Sequence, residues 1–126
     1  MQYLALPLTQ VLTNLLINAV KFNREGGTIS VKTETRPMND KGIVFVRISV
    51  TDTGIGIPSH DIPKLFAPFE RIGAEKTETG GTGLGLAMVK RIMDATEGFV
   101  GVESTVGEGS VFWIEIPATR ENRQLA

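Results

Sequence analysis

The chain has 126 residues, a length that fits one domain with a core of its own. Thirteen basic against fourteen acidic residues leave a formal charge of -1 with no basic block, which argues against a nucleic-acid binder. Cysteine is absent, excluding a disulfide framework and thiolate metal sites, and neither a membrane-length apolar run nor a signal-peptide pattern is present.

Leu8 to about Phe22 reads as a helix, whose hundred-degree steps put Leu12, Leu15, Leu16 and Ala19 on one expected core face. On the opposite side Gln10, Asn14, Asn18 and Lys21 fall within a stripe of roughly 80°. Ile17 and Val20 border that stripe, so it reads as half-buried. Gly26-Gly27 closes the helix region. Thr28 to Arg36 then alternates as an amphipathic strand, and the polar turn Pro37 to Gly42 leads to a second strand, Ile43 to Thr51. The two are expected to pair as a hairpin.

A short helix is expected over Ser59 to Phe69, with Ser59 as a candidate cap. Arg71 to Gly81 is charged, rich in glycine and without periodicity, and reads as a mobile loop. It runs into a second helix from Gly83 to about Glu97, with Gly98 as its stop. Phe99 to Thr105 and Ser110 to Ile116 read as a last hairpin carrying Trp113, and Ala118 to Ala126 as a frayed tail. This order predicts a single α/β domain over 1–126 with its ordered core at about 8–117. The expected architecture is a two-layer sandwich, a mixed but mostly antiparallel sheet with helices on one face.

In the second strand Val44, Val46, Ile48 and Val50 share one side, and Asp52 continues it. A carboxylate aimed inward needs a donor, because burying even a neutral polar group unpaired costs on the order of 2 to 7 kcal/mol. Two partners fit: the amine of a purine, or the backbone of an Asx turn. Gly54 and Gly56 would free the following backbone for positive φ and let a flat ring approach. The run Gly80 to Gly85 meets a helix start, where free amides and the dipole favour anions. It is not a P-loop, because no Lys-Ser or Lys-Thr follows.

Asn14, Asn18 and Lys21 project amide oxygens and an ammonium into one space, which suits magnesium-bound polyphosphate or an ordinary solvated helix face. Arg71 fits either a terminal phosphate or water. Phe66 and Phe69 read as core anchors, and His60 as a surface residue.

Together these residues resemble the catalytic ATP-binding domain of two-component sensor histidine kinases. That group shares a superfamily, with the Bergerat-type fold, with DNA gyrase, the mismatch-repair ATPases and the heat-shock chaperone ATPases. Asn14 to Phe22 is similar to the N box, Asp52 to Gly56 to the first glycine box, Phe66 to Phe69 to the F box, and Gly81 to Leu86 to the second glycine box.

The resemblance implies that Asp52 accepts a hydrogen bond from the adenine amine, Asn18 ligates magnesium with Asn14 nearby, and Lys21 contacts phosphate. It implies further that Phe22, Ile57 and Leu84 enclose the nucleotide and that Gly81, Thr82, Gly83, Leu84 and Gly85 hold the phosphates. Residues 71 to 81 would form a lid over ATP. The phosphoryl acceptor implied is a histidine on a separate dimerisation domain, with a response regulator further on. The parent kinase is then expected to be a cytoplasmic or membrane-anchored homodimer, and this chain a monomeric piece of it. Asn14 stands where hydrolysing relatives carry glutamate, which favours a kinase over an ATPase. A gyrase-type ATPase, a docking module without catalysis and a serine kinase are the alternatives.

Overall fold

The computed structural model describes residues 2–37, 44–66 and 85–118. Helix α1 spans Gln2–Lys21, strand β1 Ile29–Pro37 and β2 Val44–Asp52. A 3-10 helix follows at Ser59–Lys64, then α2 at Gly85–Ala95, β3 at Phe99–Thr105 and β4 at Gly109–Ala118. The sheet order is β1-β2-β4-β3, and every pairing is antiparallel. Both expected hairpins are present and join through β2 and β4, so among the described strands the expected mixture of directions is absent.

α1 and α2 cover one face of this sheet. Val11, Leu15 and Ala19 of α1, Val50 of β2, Val89 and Met93 of α2, and Phe112 and Ile114 of β4 form one core with Leu65. The two-layer α/β sandwich expected from the element order is the observed one. The strand period of two sends Ile48, Val50 and Asp52 to that core face and Phe45 and Arg47 to the other.

The core face of α1 is turned from the expected one. Val11 and Leu15 are fully buried, whereas Leu16 is 39% exposed, Ile17 52% and Val20 66%. On a hundred-degree wheel the shift is roughly 50° toward Val11. Its cause is α2, whose first residue Gly85 stands beside Asn14, so α1 must bury the Val11 side as well as its sheet side. The polar stripe therefore flanks the core instead of opposing it: Asn14, Asn18 and Lys21 are half-buried and Gln10 is exposed.

Other boundaries move for local reasons. α1 begins well before Leu8, and Pro7 sits inside it, removing one intrahelical donor without ending the helix. The 3-10 helix takes Pro58 as its cap, without a side-chain capping bond, so Ser59 does not cap it. At the end of α2 the left-handed residue is Glu97, with φ of 62°, not Gly98. Gly98 N–H donates to the Met93 carbonyl at 2.8 Å and Glu97 N–H to that of Asp94 at 3.3 Å, the paired bonds of a Schellman motif.

The sheet's other face carries its own small cluster. The Arg47 guanidinium makes an ion pair with Glu115 at 2.7 Å and lies 4.6 Å from the Trp113 ring centroid. Phe45 and Phe99 meet with centroids 5.7 Å apart. Glu115 is buried, and Arg47 supplies the opposite charge that its burial requires.

The rotated face of α1 is open to a direct check by urea unfolding. Leu15→Ala should destabilise the fold by about 2 to 5 kcal/mol, and Leu16→Ala by no more than about 1 kcal/mol. Equal losses at both positions would restore the face expected from the sequence.

Candidate nucleotide site

Asp52 ends β2 on the core face, 5% exposed, between Ile29 of β1 and Ser110 of β4 in the strand register. Its Oδ1 accepts the Gly54 N–H at 2.9 Å. The Asx-turn reading thus holds for one oxygen. No described residue donates to Oδ2, and no described lysine or arginine pairs with the carboxylate. Among the described residues, one oxygen of this buried carboxylate therefore has no donor and can accept one from a ligand.

The loop after Asp52 is held from two sides. Ile55 N–H donates to the Phe22 carbonyl at 3.2 Å, and a Cβ on Gly54 would collide with that same carbonyl oxygen. Gly56 adopts φ of 76°, and a Cβ there would collide with the Thr105 carbonyl. Both glycines were expected to supply positive φ and room for a ring; only Gly56 has positive φ, and the close neighbours of both are the chain's own backbone. Residues that follow α1 add further ties. Thr28 N–H donates to Thr53 Oγ1 at 2.8 Å, Thr53 Oγ1 to Asn23 Oδ1 at 3.3 Å, and Asn23 Nδ2 to the Thr28 carbonyl at 3.0 Å.

These contacts set the polar stripe of α1 next to the Asp52 loop. Lys21 Nζ lies 5.7 Å from the Phe22 ring centroid, with both side chains half-buried. Asn18 makes no side-chain hydrogen bond among the described residues, and the buried Nδ2 of Asn14 has no partner there. Asn14 Oδ1 lies 3.6 Å from where a Cβ on Gly85 would stand, so it faces the start of α2. A buried amide without a partner is costly, and a polar ligand beside it would remove that cost.

This set fits a magnesium nucleotide. Among the described residues there is no cluster of three or more His, Asp or Glu side chains to hold a metal alone. Magnesium does not need one, since amide oxygen, water and phosphate oxygens complete its shell.

Ile57 is half-buried against the core and donates its N–H to Ser104 Oγ at 2.7 Å. Phe66 packs on the core as expected. His60 is exposed, with Nε2 3.5 Å from Asp61 Oδ1, and is a surface residue. Arg71, Gly81, Thr82, Gly83, Leu84, Phe69 and the expected lid lie outside the described residues. Sequence reasoning missed Ser104 and Ser110, although a signal was there: each stands where the alternation of an inward apolar face, Val100-Val102 or Phe112-Ile114, reaches a hydroxyl.

Comparison with known proteins identifies the family. Residues 4–120 match the family described as histidine kinase-, DNA gyrase B- and HSP90-like ATPase. The sensor protein GacS of Pseudomonas syringae pv. syringae is 44% identical over 122 residues, covering 94% of this chain and 13% of GacS. The sensor histidine kinase AruS of Pseudomonas aeruginosa is 51% identical over 110 residues, covering 86% of this chain and 11% of AruS. The chain thus spans a small part of the length of both. Full-length ShkA, solved in complex with AMPPNP, is 38% identical with a TM-score of 0.72 over 88% of this chain and 21% of that one. The chain belongs to the family of histidine kinase-, DNA gyrase B- and HSP90-like ATPases, and its relatives there include sensor histidine kinases.

Proposed function

We propose that this chain binds Mg-ATP and, within a two-component sensor kinase, donates the terminal phosphoryl group to a histidine on a separate dimerisation domain. The observation that carries the reading is the buried carboxylate of Asp52, one oxygen held by Gly54 N–H and the other without a described donor, beside the half-buried stripe of α1. The relationship to sensor kinases, and the AMPPNP bound to ShkA, support the same nucleotide class.

In this reading Asp52 Oδ2 accepts from the adenine amine, which guanine lacks at that position. Phe22, Ile57 and Leu84 enclose the nucleotide. Asn18 ligates magnesium with Asn14 beside it, and Lys21 and Arg71 hold phosphate oxygens. The amides of Gly81 to Gly85, with Thr82, bind the polyphosphate at the start of α2, where the helix dipole favours anions. Magnesium supplies charge neutralisation to the phosphates when bound. The chain's own residues orient the terminal phosphorus toward the acceptor imidazole, whose nitrogen bonds to phosphorus as the bond to the bridging oxygen breaks and ADP leaves. Such transfer relies on positioning and charge, so no strong base is required of the protein.

The partners in this reading are the phosphoacceptor domain and, through it, a response regulator. The chain is a monomeric catalytic unit of a homodimeric parent, working on the cytoplasmic side. No described helix is long and apolar enough to cross a membrane.

Calorimetric titration of Mg-ATP and Mg-GTP tests the base contact. The wild-type chain should prefer ATP, and Asp52→Asn should weaken ATP by roughly 10- to 100-fold, the range for a charged hydrogen bond. Because an asparagine oxygen still accepts from Gly54 N–H, the variant should keep its melting temperature to within a few degrees. A folded wild-type chain that binds neither nucleotide would defeat the reading.

The same titration with magnesium and with EDTA examines Asn18. Magnesium should strengthen ATP binding to the wild type but not to Asn18→Ala; an equal gain in both would remove Asn18 as a ligand. With radiolabelled ATP, label should appear on an added acceptor-histidine domain and not on this chain. Stable label on His60 would contradict the assignment.

A further inference from the structure

The two serines at the end of the sheet form a ring with the Asp52 loop. In the strand register Ser104 of β3 faces Ser110 of β4, and Ser110 faces Asp52 of β2, so the three stand in one rung on the core face. Their hydroxyls make a contact of 2.7 Å between Ser104 and Ser110. Ser104 Oγ also donates to the Gly109 carbonyl at 3.0 Å and accepts the Ile57 N–H at 2.7 Å.

A hydroxyl has one proton and two lone pairs. With its proton on Gly109, Ser104 accepts from Ile57 and from Ser110, and all of its capacity is used. The loop thus leaves the rung at Asp52 and returns to it at Ile57, with Ser104 as the closing link. The β3–β4 turn braces the same loop through Gly107 N–H, which donates to the Ile55 carbonyl at 2.9 Å.

We propose that Ser104 is a positioning residue for base recognition, holding the Asp52–Ile57 loop so that the free oxygen of Asp52 meets the exocyclic amine of the base. This rests on the nucleotide reading above. Ser104 acts through the Ile57 N–H and through Ser110, without itself touching the nucleotide. Removing its hydroxyl leaves the Ile57 N–H without its acceptor and opens the ring, while Asp52, Gly54 and the strands keep their sequence. The expected loss is therefore in discrimination between bases more than in stability.

The test compares ATP with ITP, which carries an oxygen in place of the amine, in Ser104→Thr and Ser104→Val. These side chains have the same shape, both suit a strand, and only one has a hydroxyl. The wild type and Ser104→Thr should prefer ATP to ITP, and in a folded Ser104→Val that preference should shrink about fivefold or more. A Ser104→Val variant that keeps the wild-type ratio would overturn the proposal, whatever its melting temperature, since a merely structural serine would lower stability and leave the ratio alone. Loss of ATP binding by the wild type itself would instead remove the nucleotide reading, and the proposal with it. Amide exchange on the unmodified chain gives a second measure independent of variant folding. The Ile57 amide should be protected without nucleotide, and rapid exchange there would also overturn the proposal.

Discussion

The close approach of the Asp52–Gly56 loop to two other backbone segments is the constraint on which the site depends. Gly54 presses against the Phe22 carbonyl just past α1, and Gly56 presses against the Thr105 carbonyl where β3 turns toward β4. A side chain at either position would push these segments apart, and with them the first helix and the last hairpin. Because the loop is fixed on both flanks, the carboxylate that precedes it is held by packing and by one local hydrogen bond, without any described cation to neutralise it. In the proposed reading, the base-binding end of the site is thereby organised before its ligand arrives, which lowers the ordering cost of binding.

The first helix serves two purposes at once, and its burial pattern reflects the compromise. Val11, Leu15 and Ala19 pack into the core, while Asn14, Asn18 and Lys21 run along the edge of that core toward the Asp52 loop and α2. Half-burial keeps these polar groups aligned and short of bulk water, so a charged ligand there meets amides and an ammonium with less competition from solvent. Among the described residues the buried Nδ2 of Asn14 has no hydrogen-bond partner in that arrangement. On the far side of the sheet the Arg47–Glu115 pair stacked on Trp113 gives the central strands β2 and β4 a second set of contacts. In the strand register this cluster lies toward the other end of β2 from Asp52.

Much of this was legible in the chain itself. Alternation over Val44 to Val50 determined that Asp52 would face inward, the polar stripe of α1 was visible as a helical period, and the turn residues marked both hairpins. These signals are local, because side-chain direction in a strand or helix follows from backbone geometry alone. The sequence thereby determined the elements, the two-layer class, the family and which polar residues line the proposed site.

Only the tertiary structure decided which side of α1 is core, because that depends on where α2 lands, and no period within α1 encodes its neighbour. It likewise decided that Gly54 and Gly56 make room for backbone, that Asp52 has one oxygen in a turn and the other without a donor among the described residues, and that Ser104 closes the loop onto the sheet. Apart from the local Asp52–Gly54 bond, these are contacts between segments far apart in the chain, and such contacts are set by packing of the whole core rather than by any stretch read alone.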